Sequence, residues 1–155
     1  MVYTVGEAAK RLGLSPSTLR YYDKEGLLPF VERSSGGIRM FQEKDFEWLQ
    51  VIECMKKAGM PIKDIRQYIE MALQGDSTIE ARLDLFRHQQ KVVEQQMVEL
   101  QHTMEMLRYK CWYYETAMAA GTIEAPKNMR DEDVPEEFQT IRASLRQVPD
   151  HTVER

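Results

Sequence analysis

Val5, Ala8, Ala9 and Leu12 recur at i, i+3, i+4 and i+7, the spacing of one buried helix face. Thr4 and Glu7 form a T-x-x-E capping box at its start, and Gly13 marks its end. Ser15-Pro16 opens a second helix, with serine as N-cap and proline at the first helical position; it runs to about Glu25, and Gly26 stops it. Two short helices across a glycine-containing turn predict a helix-turn-helix. The runs Phe30 to Arg33 and Ile38 to Phe41 flank Ser34-Ser35-Gly36-Gly37 and predict a β-hairpin, which in this place would be a wing. A third helix, from about Glu43 to Ala58, has Trp48, Val51, Ile52, Met55 and Ala58 as its expected buried stripe. A fourth starts at Pro61, turns Ile62, Ile65, Ile69 and Ala72 inward, and ends at Gly75.

The longest helical pattern begins at a second capping box, Ser77-Thr78-Ile79-Glu80, and meets no glycine or proline until Gly121. Positions 79, 83, 86, 90, 93, 97, 100, 104, 107, 111, 114 and 118 alternate steps of four and three. All but Gln90 are apolar, aromatic or cysteine, the heptad pattern of a coiled coil. About 40 residues of helix reach about 60 Å. A seam that long needs either a partner helix or a cover from its own subunit, and a short tail cannot supply the cover. Gln90 either fixes register or is tolerated in the seam. Beyond Gly121 the chain holds Pro126, Pro135 and Pro149, with acidic Asp131-Glu132-Asp133 and Glu136-Glu137. One helix near 136–147 is expected in an otherwise flexible tail. The fold class is therefore mainly α. A winged helix-turn-helix occupies residues 1–75, a long coiled-coil dimerisation helix residues 77–120, and a short acidic tail residues 121–155.

Composition narrows the function. No basic and then apolar leader follows Met1, and no apolar run approaches the roughly 20 residues of a membrane span, so a cytoplasmic protein without a membrane partner is expected. There the two cysteines, Cys54 and Cys111, stay reduced; they form no CxxC, and no metal or cofactor is expected. His88, His102 and His151 belong to no catalytic motif and no Gly-rich phosphate loop is present, which argues against an enzyme. Net charge is −4 overall. Residues 1–75 hold 11 Lys+Arg and 10 Asp+Glu, a net of 11 − 10 = +1; the remainder hold 10 and 15, a net of −5. Nucleic-acid binding then requires a focused basic patch.

The second helix offers one. Ser17, Arg20, Tyr21 and Lys24 share its polar face and Thr18 flanks it, while Leu19 and Tyr22 turn toward the core. Hydroxyls, a guanidinium, a phenol and an ammonium in one stripe suit a groove of phosphates and base edges; a merely solvated face is the alternative. Arg33 and Arg39, one on each wing strand, are placed to clamp phosphates or simply to be surface arginines. Lys56 and Lys57 are ambiguous in the same way.

Thr4-Val5-Gly6-Glu7-Ala8-Ala9, Leu19-Arg20-Tyr21-Tyr22-Asp23 with Gly26-Leu27-Leu28, and Ile38-Arg39-Met40-Phe41 together resemble the successive motifs of the MerR family of transcriptional regulators. The resemblance covers about the first 75 residues, and the long helix stands where that family has its dimerisation helix. It implies a homodimer with antiparallel long helices, residues near 79 facing those near 118 and a crossing near Met97 and Leu100. It also implies double-stranded promoter DNA and RNA polymerase as partners, and activation by bending and untwisting a promoter whose elements are too far apart. Carried over by position, Arg20, Tyr21, Tyr22, Arg39 and Lys56 are expected to contact DNA, with Ser17 and Thr18 reading bases. Metal-sensing members carry cysteines just after the dimer helix, but Gly121-Thr122-Ile123-Glu124-Ala125 has none. About 35 residues are too few for a separate ligand domain.

The run from Ile38-Arg39 through Trp48, Ile52, Glu53-Cys54-Met55 and Ala58-Gly59, then Gly75-Asp76 with Thr78-Ile79-Glu80-Ala81-Arg82, is similar to the aldehyde- and nitrosative-stress-responsive branch, which implies that Cys54 senses electrophiles. The residues themselves leave sensor and packing residue both open. With Phe46 at zero on a helical wheel, the expected stripe centres near 180° and Cys54 near 80°, at the margin of the core. Cys111 reads as a small seam residue. Alternatives are an effector-independent, excisionase-like DNA-bending protein, a regulator sensing a small ligand, and a coiled-coil adaptor.

Overall fold

The computed structural model describes residues 1–146. Pro149, His151 and the expected last residue of the C-terminal helix lie outside the described residues. Contacts divide the chain into two units, Met1–Val93 and the residues from Glu94 onward.

The first unit opens with a short strand, β1 (Val2–Tyr3), and then α1 (Val5–Leu12) and α2 (Pro16–Lys24). The Thr4–Glu7 box is formed reciprocally: the Thr4 N–H donates to the Glu7 carboxylate at 2.8 Å, and the Glu7 N–H donates to Thr4 Oγ1 at 3.3 Å. Gly13 closes α1 at φ 68°, a left-handed conformation that glycine adopts without a steric penalty. Ser15 Oγ accepts the Thr18 N–H at 3.1 Å to cap α2. The wing is β2 (Glu32–Arg33) and β3 (Arg39–Gln42). These strands pair antiparallel with Glu32 opposite Met40 and Arg33 opposite Arg39. β3 also pairs with β1, giving the order β1-β3-β2. Two residues carry no periodic signal, so β1 was not foreseen.

That extra strand changes how the next helix, α3 (Asp45–Lys57), is buried. Tyr3 meets the Phe46 ring edge-on at 5.2 Å. The buried residues of α3 are Asp45, Phe46, Leu49, Ile52 and Met55. Trp48 and Val51, expected in the stripe, are half-buried, and Ala58 is exposed. Asp45 is buried because its carboxylate accepts the Gln42 N–H at 2.8 Å, tying the end of β3 to the start of α3. α4 (Ile62–Leu73) buries Ile65 and Ile69. The core also holds Leu19, Tyr22, Leu27, Leu28 and Phe41, so α2 and the wing share one apolar base with α3 and α4.

α5 (Ile79–Ala120) begins in the first unit and ends in the second. Ahead of it residues 76–78 form a 3-10 turn instead of the expected cap, and the Thr78 hydroxyl points at the carbonyls of Met71 (2.6 Å) and Gly75 (2.8 Å). Early in α5, buried Gln89 donates from Nε2 to the Ala58 carbonyl at 2.8 Å. The heptad positions Ile79, Leu83, Phe86, Met97, Leu100, Met104, Leu107, Tyr114 and Met118 are all exposed in the single chain.

In the second unit the helix expected near 136–147 is present as the last element, and the residues before it, expected to be loose, carry further short helical turns. After α5 come α6 (Glu124–Lys127) and α7 (Glu136–Arg146), with a 3-10 turn at 131–133 between them. Phe138 of α7 packs on Trp112 and Tyr109 of α5, with centroids 5.5 and 6.1 Å apart. Arg142 is buried and donates to the carbonyls of Met129 (2.7 Å) and Lys127 (3.3 Å). The acidic composition of the segment concealed its few apolar side chains: Val134 and Ile141 are buried, and Phe138 docks on the aromatic end of α5.

Candidate nucleic-acid interface

α2 presents its expected polar face. Ser17, Arg20, Tyr21 and Lys24 are exposed. Ser15 Oγ lies 2.8 Å from both Ser17 Oγ and Thr18 Oγ1, so three hydroxyls cluster at the helix N-terminus. Ser17 is exposed and Thr18 is half-buried, so of these two Ser17 is better placed to meet a base edge. Arg20 and Lys24 make no hydrogen bond or ion pair with any described residue.

Tyr22 has a different place from the other expected contact residues. It is fully buried, and its hydroxyl donates to Glu53 and accepts from Lys56 Nζ at 2.6 Å. The Lys56 ammonium also lies 4.8 Å from the Tyr22 ring centroid. Burial, followed by the Glu53 carboxylate, pushes the Tyr22 hydroxyl well above the ordinary tyrosine range, so it stays a neutral donor. Tyr22 thus joins α2 to α3, and Lys56 is the exposed end of that chain.

The wing arginines also differ from each other. Arg33 is about half-exposed, at 52%, and donates to Asp23 Oδ2 at 3.0 Å and to the Gly37 carbonyl at 3.1 Å. Arg39 is 19% exposed, pairs with the other Asp23 oxygen, and donates to the carbonyls of Val31 (2.9 Å) and Leu28 (3.4 Å). Burial lowers the Arg39 pKa from the ordinary arginine value. Arg39 thus engages both terminal nitrogens inside the protein, its buried Nε having no partner among the described residues, and Arg33 is the freer of the two. A cleft of about 290 Å³ lies between α2 and the wing, bordered by Arg20, Asp23, Arg33 and Arg39. Asp23 and Glu53 were not singled out from the sequence. The available signal was the hairpin register, which opposes two arginines and so calls for an acid between them.

A second cluster ties α1 to the start of α3. Arg11 donates to Glu43 and, at 3.0 Å, to the Tyr3 hydroxyl, and its guanidinium lies 4.1 Å from the Phe46 ring centroid. The Arg11 hydrogen bonds, with help from Tyr3, hold the Glu43 carboxyl down to about 2.

Cys54 is exposed. Phe46 and Leu49 belong to the buried face of α3, so its true centre is turned almost opposite to Cys54 and the thiol is not at the core margin as the wheel placed it. It borders an apolar groove of about 570 Å³ with Val51, Met55, Ala58 and Phe86. Cys111 is exposed on α5. Among the described residues, no group of three or more His, Cys, Asp or Glu side chains is placed to hold a metal ion, and no helix is long and apolar enough to cross a membrane.

The family model described as MerR HTH family regulatory protein matches residues 3–72, and a second, described as MerR, DNA binding, matches residues 46–109. An HTH-type transcriptional regulator of Haemophilus influenzae is 46% identical over 125 residues, covering 81% of this chain and 93% of the relative. The HTH-type transcriptional regulator AdhR of Bacillus subtilis is 38% identical over 91 residues, which are 58% of this chain and 65% of AdhR. Among solved structures, HiNmlR, described as a MerR family regulator lacking the sensor domain and bound to promoter DNA, aligns with a TM-score of 0.63 at 46% identity. That alignment covers 81% of this chain and 99% of HiNmlR. A MerR family regulator of Bacillus thuringiensis aligns with a TM-score of 0.59 at 40% identity, covering 72% of this chain and 97% of that one.

Proposed function

This chain belongs to the MerR family of helix-turn-helix regulators and is a transcriptional regulator, not an enzyme; from that premise we propose that it binds double-stranded promoter DNA as a homodimer in the cytoplasm. Residues 1–75 contact DNA and residues 77–120 pair with a second copy. Ser17 and Thr18 read bases, while Arg20, Tyr21, Arg33 and Lys56 engage the backbone; Tyr22 and Arg39 act from behind by holding α2 and the wing. The observation that carries this reading is the exposed face of α2, where Arg20, bordering the cleft to the wing, and Lys24 have no partner among the described residues. The dimer activates transcription by bending and untwisting the promoter for RNA polymerase, with the deformation energy offset by backbone contacts.

The test starts from duplexes selected from a random pool by the wild-type protein. Arg20→Ala is expected to weaken binding to all of them and to lower the salt slope by about 0.9 per protomer bound, whereas Ser17→Ala changes the preferred sequence. Unchanged binding by Arg20→Ala across salt concentrations refutes the interface. Transcription with purified polymerase from an over-spaced promoter separates an activator from an effector-independent bending protein.

A reactive-aldehyde response is the finer reading, supported by the solvent-reachable Cys54 thiol beside the apolar groove. The thiol adds across the aldehyde carbonyl to give a hemithioacetal, its proton moving to the carbonyl oxygen, so no oxidant is needed. A reporter strain carrying Cys54→Ser is expected to lose induction by formaldehyde or methylglyoxal. Full induction in that strain leaves a non-covalent small ligand as the better account.

A further inference from the structure

The wing hairpin sets Arg33 directly opposite Arg39. Like charges facing each other across an antiparallel pair repel. Asp23 resolves this from another element: it projects from α2, and its two oxygens meet one arginine each. The three side chains border the same cleft between α2 and the wing. The two pairs are unequal. Arg39 is mostly buried and also holds the Val31 and Leu28 carbonyls, so losing Asp23 would leave it with an uncompensated charge. Arg33 is half-exposed, so its pair with Asp23 is weak and readily exchanged.

We propose that Asp23 is the positioning residue of this interface: it pins the wing to α2 through Arg39, and it parks Arg33 until a DNA phosphate takes that guanidinium over. The proposal rests on the DNA-binding reading above. In the free protein the Asp23 carboxylate occupies the position that a backbone phosphate oxygen occupies in the complex. Arg39 stays on Asp23 in both states, keeping the angle between the wing and α2, while Arg33 moves. Asp23 also discourages idle anion binding, because any phosphate entering the cleft must displace a carboxylate of the same charge.

The experiment uses the full chain and a fluorescein-labelled mixed-sequence duplex, with anisotropy read across a salt series and melting followed in parallel. Asp23→Asn is expected to melt lower, because Arg39 loses its counter-charge, yet to bind the duplex about two- to fivefold tighter than Arg39→Gln, which also loses the pin but keeps the carboxylate that competes for Arg33. Arg33→Gln is expected to bind more weakly, with a salt slope lower by about 0.9 per protomer bound, and to melt near the wild-type temperature. Arg39→Gln is expected to melt lower, with its salt slope kept. Asp23→Asn binding no tighter than Arg39→Gln overturns the exchange. An Arg39→Gln slope that falls as far as that of Arg33→Gln, with melting unchanged, overturns the pin. Should Asp23→Asn fold too poorly to assay, the unsubstituted protein decides the matter by arginine side-chain NMR. Addition of duplex is then expected to shift the Arg33 guanidinium resonance and leave that of Arg39 in place, and the opposite pattern refutes the proposal. Wild-type protein that binds no duplex at low salt refutes the DNA-binding reading and the exchange with it, while the pin is still decided by the melting temperatures.

Discussion

Glu43 shows how much a single side chain can organise without burial. Its carboxylate takes Arg11 and Tyr3 together and so joins α1, β1 and the approach to α3. Its folded-state pKa is depressed to about 2, against about 4.3 for an ordinary glutamate. A depressed acid contributes stability that is fully present above the unfolded value and is lost as pH falls toward the folded one. Glu43→Gln is therefore expected to melt below wild type near neutral pH by a small margin, since both partners are solvent-screened. That margin should close between about pH 4 and pH 2, and a gap independent of pH would show that Glu43 acts by packing alone. At this scale the sequence was only partly informative. Ser17, Arg20, Tyr21 and Lys24 sit on the face that periodicity assigned them. The thiol of Cys54 does not, because a wheel centred on Trp48, Val51 and Ala58 ignored Phe46 and Leu49, and those two are buried under contacts brought by β1 and by elements far away in the chain.

Elements with local punctuation were the readable ones. The Thr4 box and Gly13 bound α1, Ser15-Pro16 opens α2, and Gly121 at φ 74° follows the end of α5. In each case the stop or start is determined by a residue at the terminus itself. Where the determinant lies at long range, the pattern failed. Ser77-Thr78-Ile79-Glu80 has the composition of a capping box, yet Thr78 turns its hydroxyl back to Met71 and Gly75, and a 3-10 turn results. The helix near 136–147 was legible, but its docking through Phe138 on Tyr109 and Trp112, some 25 residues upstream, was not, and the acidic, proline-containing stretch before it looked loose. Gln89 is a further long-range determinant, since it anchors the first turns of α5 to the bend between α3 and α4. Adding a Cβ at Gly59 would place it 3.4 Å from Gln89 Nε2, so the close approach and the left-handed φ of 78° both favour glycine there. Gln89→Ala removes a buried donor from this joint and is expected to cost about 1 kcal/mol in urea unfolding at matched protein concentration. An unchanged midpoint would mean that solvent replaces the bond at no cost and that α5 is held by its apolar contacts instead.

At the scale of the molecule, what matters is the face that one chain leaves uncovered. Along α5, Leu83, Phe86, Met97, Leu100, Met104 and Leu107 follow the heptad and remain exposed, Leu100 at 68%. Isolated exposed apolar residues are ordinary, but a stripe of them at 3.5-residue spacing, interrupted here only at Gln90 and half-buried Val93, is what the proposed coiled-coil seam requires. The proposed reading of a near-palindromic site also needs two α2 helices, one from each copy, and α5, at 42 residues, is the element proposed to pair the copies. On the proposed dimer reading, DNA binding and dimerisation are coupled: a dimer would engage both half-sites together, and each half alone would bind weakly. Leu100→Asp places a charge at the expected crossing point of both helices, where it would lose hydration without gaining a partner. The variant is expected to sediment as a monomer at micromolar concentration while the first unit keeps its helical signal, because Leu100 lies outside Met1–Val93. Its affinity for a two-half-site duplex is expected to fall by at least about a hundredfold, the scale of an avidity loss, while binding to a single half-site changes little. Wild-type protein that sediments as a monomer, or Leu100→Asp that stays dimeric, would remove the seam as the interface and leave this stripe without a role.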